Sequence, residues 1–436
     1  MRVTIIGAGY VGLTTAACFA SFGNDIICVE KNKDRVLKLN NGISPIYEPG
    51  LEELLKENIK AKRLTFTDDI KKGIDFSDII FLCVGTPQDD NGKADLSQIE
   101  EVSRQIAINL NKFKIIVEKS TVPINTHLWV KKTITRYTKK DIQFSIASNP
   151  EFLREGSAIK DFTEPDRIVI GIEKDTISEN IFRELYKPLT DKGSPLLITT
   201  PPTAELIKHA SNSFLAMKIS FINIVANLCE KTGADIETVA YGMGMDKRIG
   251  QNFLNAGIGY GGSCFPKDVK AFINMGEEIG LNFNLLKEVE KINNDRRDHF
   301  IKLIESVLWI NKNKTIAIWG VSFKPNTDDI RESPAINIVK HLLETGAKVK
   351  IFDPVASENF KKIFSENGQL TYYTDIYEPL KDSNALLILT EWKEFKEADL
   401  KKVKELLSIP IIIDGRNIYD KDKLKELDIE YFSIGR

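Results

Sequence analysis

The sequence predicts an α/β protein made of two Rossmann-like, doubly wound domains joined by a long central helix and a helical region. Three observations support this fold class. Residues 3–30 read as a strand, a glycine turn, a helix and a second strand, residues 314–354 repeat that order in outline, and a largely apolar helical stretch runs from about 203 to 231. Because 436 residues exceed what one core usually supports, we expect domains at 1–200, 201–300 and 301–436.

Composition argues against several functional classes. Lys and Arg number 60 against 62 Asp and Glu, a formal net charge of -2, so the basic excess that nucleic acid or an anionic membrane attracts is absent. The five cysteines (residues 18, 28, 83, 229 and 264) form no CxxC pair, and the four histidines are scattered. We therefore expect neither a disulfide framework nor a metal site, and we expect a reducing, cytoplasmic location.

Two apolar runs superficially resemble targeting or membrane segments. The uncharged run at 3–24 contains the glycines of a strand, turn and helix, which explain it better than a signal peptide does. The run at 213–229 is interrupted by Lys218 and is short for a bilayer. We expect no membrane segment.

The opening turn carries a dinucleotide fingerprint. Gly7, Gly9 and Gly12 form GxGxxG after an apolar strand, with Val11 inside the motif, and Glu30 ends the next strand. The glycines allow a tight turn and the close approach of a pyrophosphate to the helix N-terminus, and the acid accepts hydrogen bonds from ribose hydroxyls. Because its carboxylate would repel a 2′-phosphate, Glu30 predicts NAD rather than NADP, although three nearby cations, Lys31, Lys33 and Arg35, weaken that preference.

Three further strands of the first domain each lead into a loop that contains proline. DIIFLCV leads to Thr86, KIIVEK to Thr121 and IQFSIAS to Glu151. In a parallel sheet these loops share the carboxyl edge with the glycine turn, where ligands bind. Each loop alone could be a simple turn, but three on one edge predict that these side chains face the cofactor and the substrate.

Lys208 and Asn212 lie four residues apart in the central helix, and hence on one face of it. A lysine near a helix start is usually solvated. The neighbouring Ser211 and Leu215 do not continue a charged surface pattern, which favours a lysine that points into a site.

The same helix carries more apolar residues than one buried face needs, namely Phe214, Ile219, Phe221, Ile222 and Val225. Burial against a second copy of the chain would use this surplus, so we expect at least a homodimer.

Cys264 stands in a setting that favours a reactive thiol. It follows a loop with four glycines at 257–262, which permit tight turns and the close approach of a ligand. Pro266 predicts a helix start with Phe265 as N-cap and Asp268 in the first turn, and a helix N-terminus stabilises a thiolate. Lone cysteines are more often structural, but a packed cysteine needs no such loop, so we interpret Cys264 as a nucleophile.

The C-terminal third repeats the α/β winding without the glycine fingerprint. KTIAIWG, SPAINIVKHLLETG and KVKIFDP predict a strand, a helix and a strand, and ALLILTEW and IPIIIDGRN predict later strands. Lys324, Arg331 and Arg416 fall near strand ends, where cations suit phosphate recognition. As single loop residues they could equally be surface charges.

Together, the motifs GAGYVGL, VGTP, STVP, NPEFLREG, GYGGSCFPKD and FKPNTDDIRES, with Lys208 and Asn212, resemble the family of nucleotide-sugar dehydrogenases over nearly the whole chain. That family has an N-terminal NAD domain, a central dimerisation region and a C-terminal domain for the substrate nucleotide. It oxidises a sugar C6 alcohol to a carboxylate with two NAD and one water. The resemblance implies NAD as the cofactor, a nucleotide sugar such as UDP-glucose as the substrate, and a homodimer or larger homo-oligomer.

The resemblance also implies roles for individual residues. Cys264 resembles the nucleophile, Lys208, Asn212 and Asp268 the groups that hold the C6 oxygen and the catalytic water, and Glu151 and Thr121 the residues that serve thioester hydrolysis. The implied sugar-nucleotide contacts are Phe152, Leu153, Phe253, Asn255, Gly261, Lys324 and Arg416, with Arg248 reaching across the dimer. The implied NAD contacts are Gly7, Gly9, Val11, Gly12, Glu30, Arg35, Thr86, Thr121, Glu155, Lys267 and Arg331. Ile224 departs from the acidic residue of many relatives, which bears on helix packing or subunit contacts rather than on the catalytic set.

Three hypotheses stay open at this level. The first is the two-step oxidation of UDP-glucose through a covalent adduct on Cys264. Within the same class, UDP-N-acetylhexosamine or GDP-mannose would be the alternative substrate. In another class, the chain would be a non-catalytic NAD-binding protein, against which the intact set of Cys264, Lys208, Asn212, Asp268 and Glu151 argues.

Overall fold

The structure is a computed structural model that describes residues 1–88, 92–139, 142–173 and 175–436. The chain forms two compact units: residues 1–211 with 270–279, and residues 212–269 with 280–436. The central region expected at 201–300 thus contributes to both units, and the division into three domains stays a prediction.

The first unit alternates strands and helices along most of its length. Its elements are β1 (Arg2–Ile6), α1 (Tyr10–Ser21), β2 (Asp25–Val29), α2 (Lys33–Asn40), α3 (Leu51–Lys60), β3 (Leu64–Thr67), α4 (Ile70–Phe76), β4 (Ile79–Leu82), α5 (Ser97–Asn109), β5 (Lys114–Glu118), α6 (Thr126–Tyr137), β6 (Phe144–Ser148), α7 (Ala158–Thr163), β7 (Ile168–Ile172), α8 (Thr176–Leu185), α9 (Lys187–Thr190), β8 (Leu196–Thr199) and the first turns of α10 (Pro201–Thr232).

The strands of this unit form one sheet in the order β3-β2-β1-β4-β5-β6-β7-β8. The pairs are parallel except β6 with β7, which run antiparallel. Both faces are covered: Val3 and Ile5 of β1 belong to one buried cluster, and Ile6 belongs to another. This is the predicted Rossmann-like winding, and its carboxyl edge carries the loops after β1, β4, β5 and β6.

The second unit holds the remaining helices and a second sheet. Its elements are the rest of α10, α11 (Ile236–Gly244), the start of α12 (Phe265–Glu278), α13 (Asn284–Leu308), β9 (Thr315–Trp319), α14 (Pro334–Glu344), β10 (Lys348–Phe352), α15 (Ser357–Lys361), β11 (Leu370–Tyr373), a short 3-10 helix (Glu378–Leu380), β12 (Ala385–Ile388), α16 (Lys393–Lys396), α17 (Leu400–Leu406), β13 (Ile411–Asp414), α18 (Lys421–Glu426) and β14 (Glu430–Ser433).

The second sheet has the order β11-β10-β9-β12-β13-β14, and its strands pair in parallel. Counted from β9, this is the 3-2-1-4-5-6 order of the dinucleotide-binding fold. The repeat read from residues 314–354 is therefore a second Rossmann-like winding, as predicted.

Helix α10 is 32 residues long, or about 48 Å. It begins at Pro201, two residues before the predicted start, because a proline in the first turn lacks only an N–H that has no helical partner. Gly233 ends it in a left-handed conformation, and its N–H donates to the Cys229 carbonyl. Among the described residues it is the one helix long and apolar enough to span a bilayer, and 44% of its most apolar window is buried.

Candidate active site

The three glycines of the opening turn have three different surroundings. Gly7 has a φ of +105°, and a Cβ there would lie 2.6 Å from the Cys83 carbonyl oxygen. At Gly12 a Cβ would lie 1.8 Å from the Gly7 oxygen, whereas at Gly9 it would meet nothing within 4 Å. Gly7 thus makes the turn, Gly12 allows close packing of α1, and Gly9 leaves open space where a pyrophosphate can approach the helix N-terminus.

Glu30 is buried directly after β2. Its carboxylate accepts the Asn32 N–H at 2.9 Å and lies 3.5 Å from the guanidinium of Arg35. Arg35 also donates to the Ala8 carbonyl within the glycine turn, at 3.0 Å. These contacts fix an acid beside the turn, in the place where NAD ribose hydroxyls are held in this fold.

The loop after β5 is fastened at two points. Thr86 donates its hydroxyl proton to the Thr121 carbonyl at 2.9 Å. Glu205, in the first turns of α10, accepts the Asn125 N–H at 2.6 Å and lies 3.1 Å from the His127 ring nitrogen. The loop that carries Thr121 is therefore tied both to the loop after β4 and to α10.

Glu151 and Lys208 form a buried ion pair. Glu151 Oε1 accepts from Lys208 Nζ at 2.9 Å, and its Oε2 accepts the Leu153 N–H at 2.6 Å. The Phe152 ring contacts two cations, with Lys208 Nζ at 5.5 Å and the Arg167 guanidinium at 3.8 Å from its centre. Lys208 is thus not a solvated surface lysine, because only 3% of it is exposed.

Two buried residues near these loops were missed by sequence reasoning. Glu48 accepts from the Gly156 and Ala158 N–H groups at 2.6 and 2.7 Å and from the Tyr10 hydroxyl, which ties the loop with Glu155 to the start of α1. Lys119, directly after β5, donates to Asn149. A charged residue that directly follows an apolar strand was a sequence signal for Lys119, whereas PIYEPG around Glu48 gave no chemical pattern.

In the second unit, Cys264 is the N-cap of α12. The helix begins at Phe265, and the Asp268 N–H donates to the Cys264 carbonyl at 2.8 Å. The prediction that Phe265 is the N-cap is therefore wrong by one residue, because Pro266 is accommodated as well at the second helical position as at the first. Cys264 is partly exposed, with Ser263 Oγ 3.6 Å from its sulfur.

The other four cysteines are buried. Burial raises the pKa of the Cys18 and Cys83 thiols to about 12 and raises the pKa of Cys28 well above its usual range. These three thiols are neutral at physiological pH. Partial exposure at a helix N-terminus thus distinguishes Cys264 from them.

Asp268 and Asn212 are hydrogen-bonded in the second unit. The Asn212 amide donates to Asp268 Oδ2 at 2.6 Å, and Lys267 Nζ lies 2.7 Å from Asp268 Oδ1. Lys267, which the family resemblance suggested as an NAD contact, is thus an ion-pair partner of Asp268. Lys208 and Asn212 are one turn apart on α10, so the two side chains leave the helix on the same face.

The glycines before Cys264 pack against the chain itself. Gly262 has a φ of +84°, and a Cβ there would lie 2.7 Å from the Phe323 ring. At Gly261 a Cβ would lie 2.3 Å from the Glu332 oxygen, and the Gly262 N–H donates to the Arg331 carbonyl at 2.8 Å. The close approach expected for a ligand at these two glycines is made by the loop at 323–332.

Arg416 also holds this loop. Its guanidinium donates to the Leu389, Gly259 and Phe323 carbonyls at 2.9, 3.2 and 3.3 Å, and lies 3.4 Å from the carboxylate of Glu391. Arg416, which the sequence suggested for phosphate recognition or equally as surface charge, thus joins the glycine loop to the segments that follow β9 and β12, and its role toward a ligand stays a prediction.

The remaining predicted contacts of the second unit lie nearer the surface. Arg331 donates two side-chain N–H groups to the Asp329 carboxylate, and Arg248 does the same to Asp246. The Arg248 side chain is 89% exposed.

Lys324 Nζ lies 5.4 Å from the centre of the Phe323 ring. Phe253 has a φ of +66° with its ring 6.1 Å from that of Phe265, and Asn255 is exposed. Their roles toward a ligand stay predictions.

Three family models match the chain in sequence order. They describe the UDP-glucose/GDP-mannose dehydrogenase family: its NAD binding domain over residues 1–190, its central domain over 202–295 and its UDP binding domain over 317–421. The first match, with the open space at Gly9 and the buried acid at Glu30, makes NAD the cofactor.

Similar proteins span the whole chain. UDP-glucose 6-dehydrogenase TuaD of Bacillus subtilis is 45% identical, covering 100% of this chain and 93% of its own length, and the UDP-glucose 6-dehydrogenase of Rhizobium meliloti is 45% identical with 100% of both covered. Among solved structures, a UDP-glucose dehydrogenase from Pyrobaculum islandicum superposes with a TM-score of 0.90 at 37% identity, covering 99% of this chain and 96% of its own. The chain therefore belongs to the UDP-glucose/GDP-mannose dehydrogenase family.

Proposed function

We propose that the chain oxidises the C6 alcohol of UDP-glucose to the carboxylate of UDP-glucuronate, with two NAD reduced and one water consumed. The observation that carries the proposal is the partly exposed Cys264 at the N-cap of α12. An aldehyde can lose a second hydride only after it has become a tetrahedral adduct, and a thiolate supplies that adduct. A non-catalytic NAD-binding protein would have no use for such a thiol.

The first oxidation removes a proton from the C6 hydroxyl and a hydride from C6. NAD, when bound, supplies the hydride acceptor for this step and for the second. We assign Lys208, Asn212 and Asp268 to the C6 oxygen and the water, because an ammonium and an amide N–H stabilise a developing oxyanion and a carboxylate accepts a proton.

The second oxidation proceeds through Cys264. Its sulfur adds to the aldehyde carbon to give a thiohemiacetal, loss of the second hydride gives a thioester, and water then displaces the sulfur. We assign Glu151 as the base that removes a proton from this water and Thr121 as a neighbour that orients it. The product is the acid, and the thiolate is regenerated.

The relatives favour glucose over other sugars. The curated relatives at 42–45% identity over the full chain are named UDP-glucose 6-dehydrogenases. The structure of a UDP-D-ManNAc dehydrogenase from Pyrococcus horikoshii is similar at 26% identity with a TM-score of 0.86. UDP-N-acetylhexosamine and GDP-mannose therefore stay the alternative substrates, since the model that matches residues 317–421 describes a family that includes both UDP-glucose and GDP-mannose dehydrogenases.

We propose that the active form is a homodimer built on α10. Phe214, Phe221 and Leu228 lie seven residues apart with Ile224 between them, and all four are 45–61% exposed. This heptad spacing makes one apolar stripe, of the kind that pairs helices. Ile222 is buried in its own chain, so the stripe uses the other face of the helix. Ile224, where the family resemblance implied an acid, extends it.

We also propose a cytoplasmic location, since the sequence has no CxxC pair and Cys18, Cys28, Cys83 and Cys229 are buried thiols outside any disulfide. The activity is tested by mixing the protein with NAD and UDP-glucose, UDP-N-acetylglucosamine, UDP-N-acetylmannosamine or GDP-mannose and following NADH absorbance. The proposal expects the highest kcat/KM for UDP-glucose, with two NADH per sugar. NADH with only another sugar would reassign the substrate, and no NADH with any of them would refute the enzyme.

A further inference from the structure

A second lysine is buried close to Glu151. Lys119 directly follows β5, and only 4% of it is exposed. Its ammonium donates to Asn149 Oδ1 at 3.0 Å and lies 3.5 Å from the Asn149 carbonyl oxygen. Asn149 is two residues before Glu151 in the loop after β6, so Lys119 contacts the backbone that carries the proposed base.

The surroundings of Lys119 hold it in place. The Tyr186 hydroxyl donates to the same Asn149 Oδ1, and the Asn149 amide donates to the Val169 carbonyl at 2.9 Å, which fixes the amide with its oxygen toward the lysine. The rings of Phe81 and Phe162 lie 6.0 and 5.8 Å from the ammonium. The ammonium is thus buried against aromatic walls and hydrogen-bonded to a neutral amide rather than to a carboxylate.

Among the described residues, the titratable groups around Lys119 are Glu151, Lys208, Cys83 and Tyr186. Burial lowers the pKa of Lys119 to about 8, opposed by Cys83 and Glu151 and reinforced by Lys208, so the lysine is still mostly charged at neutral pH. Burial raises the pKa of Cys83 to about 12 and that of Tyr186 above its ordinary value, so both are neutral. Glu151 is the carboxylate among these groups, and its charge raises the pKa of Lys119 against the effect of burial.

We propose that Lys119 is a positioning residue for Glu151, a second buried cation that keeps this carboxylate ionised and in place when Lys208 turns to the substrate oxygen. The inference rests on the proposed function. If Lys208 leaves the ion pair to bind the C6 oxygen, a buried carboxylate without a cation would take up a proton and could no longer act as a base. Lys119 prevents this without touching the substrate.

The test compares two buried lysines at opposite ends of β5. Lys119→Met removes the proposed cation, and Lys114→Met removes one whose ammonium donates to the Ser77 carbonyl, outside the site, and whose pKa burial also lowers to about 8. For Lys119→Met we expect the acidic limb of the kcat profile to move up by about one pH unit, which is about a tenfold loss at pH values well down that limb, with KM for UDP-glucose nearly unchanged. Lys114→Met should keep the wild-type limb.

Two more variants keep the result interpretable. Lys119→Gln retains a donor for Asn149 without charge, so it should show the shifted limb even if the methionine variant folds poorly. Lys119→Arg retains the charge and should show the wild-type limb. An unmoved limb in Lys119→Gln, or an equal shift in Lys114→Met, would overturn the inference. Glu151→Gln separates the failure of the two proposals. If Glu151→Gln turns over normally, Glu151 is not the base. If Glu151→Gln is slow while Lys119→Gln behaves as wild type, Glu151 remains the base and only the role of Lys119 is wrong.

Discussion

The Glu151 carboxylate accepts a hydrogen bond from the Lys208 ammonium at 2.9 Å, and both side chains are buried. A buried charge that loses its partner costs about 3 to 5 kcal/mol, so the pair is maintained until another group takes its place. In the proposed mechanism the substrate oxygen takes that place for Lys208. We therefore propose that the pair couples the binding of the C6 oxygen to the release of the base for the later step.

Replacing Lys208 with methionine should lower kcat about 100- to 1000-fold, the usual loss when one oxyanion donor is removed. The control is Lys218→Met on the same helix, because the Lys218 ammonium donates to the Ile249 and Gly250 carbonyls rather than to Glu151. Steady-state kinetics on proteins of equal helical content measure the difference. Similar losses in both variants would mean that Lys208 serves only the helix.

Glu30→Ala should weaken NAD binding more than NADP binding. The carboxylate accepts from ribose hydroxyls but repels a 2′-phosphate, and its removal leaves the Arg35 guanidinium, now 3.5 Å from Glu30, unopposed. Fluorescence titration with NADH and with NADPH would give the two dissociation constants, and their ratio shows the change in preference. An equal loss for both, or a wild-type preference for NADP, would contradict this assignment.

The apolar stripe on α10 should govern assembly. Light scattering at micromolar protein should give at least twice the 49.2 kDa chain mass, and Phe221→Lys should shift it toward a single chain mass. Trp309→Lys is the matched control, because Trp309 is 85% exposed and lies off the stripe. A wild-type protein that is an active monomer would exclude the proposed dimer.

The buried Lys114 should leave a signature in stability against pH. Its pKa falls from 10.5 to about 8 on folding, so between these values the unfolded chain binds a proton that the native protein does not. Burial of the charged lysine therefore lowers the unfolding free energy by its full amount below pH 8, and this loss of stability disappears as the pH rises through 10.5. The unfolding free energy of Lys114→Met minus wild type should therefore fall between pH 7 and 10, by about 3 kcal/mol at most. If denaturant titrations gave a difference that does not change with pH, the pKa of Lys114 would not be lowered in the native protein.

The sequence was most informative where one local rule decides the structure. The glycine turn, the strand that ends before Glu30 and the start of α10 each depend on a few neighbouring residues, and each was predicted to within a few residues. The N-cap of α12 was misplaced by one residue because proline tolerates both of the first helical positions.

These local rules do not predict contacts between segments that are far apart in the sequence. Lys119 and Asn149 are 30 residues apart and meet because β5 and β6 are neighbours in the sheet. Gly261 and Gly262 were read as room for a ligand, but their space is filled by the loop at 323–332. The antiparallel β7 escaped prediction because strand direction is set by the chain path rather than by periodicity.

The central claim, that Cys264 carries the substrate as a covalent adduct, is tested most directly by mass spectrometry of Glu151→Gln. The enzyme would be quenched after mixing with NAD and UDP-glucose, with Cys264→Ser as the parallel control. Slowed hydrolysis should leave a sugar adduct on the peptide containing Cys264 after a burst of NADH, and Cys264→Ser should fail in the second oxidation while still binding substrate and NAD. Absence of the adduct, together with near wild-type acid formation by Cys264→Ser, would show that the cysteine is structural and contradict the account.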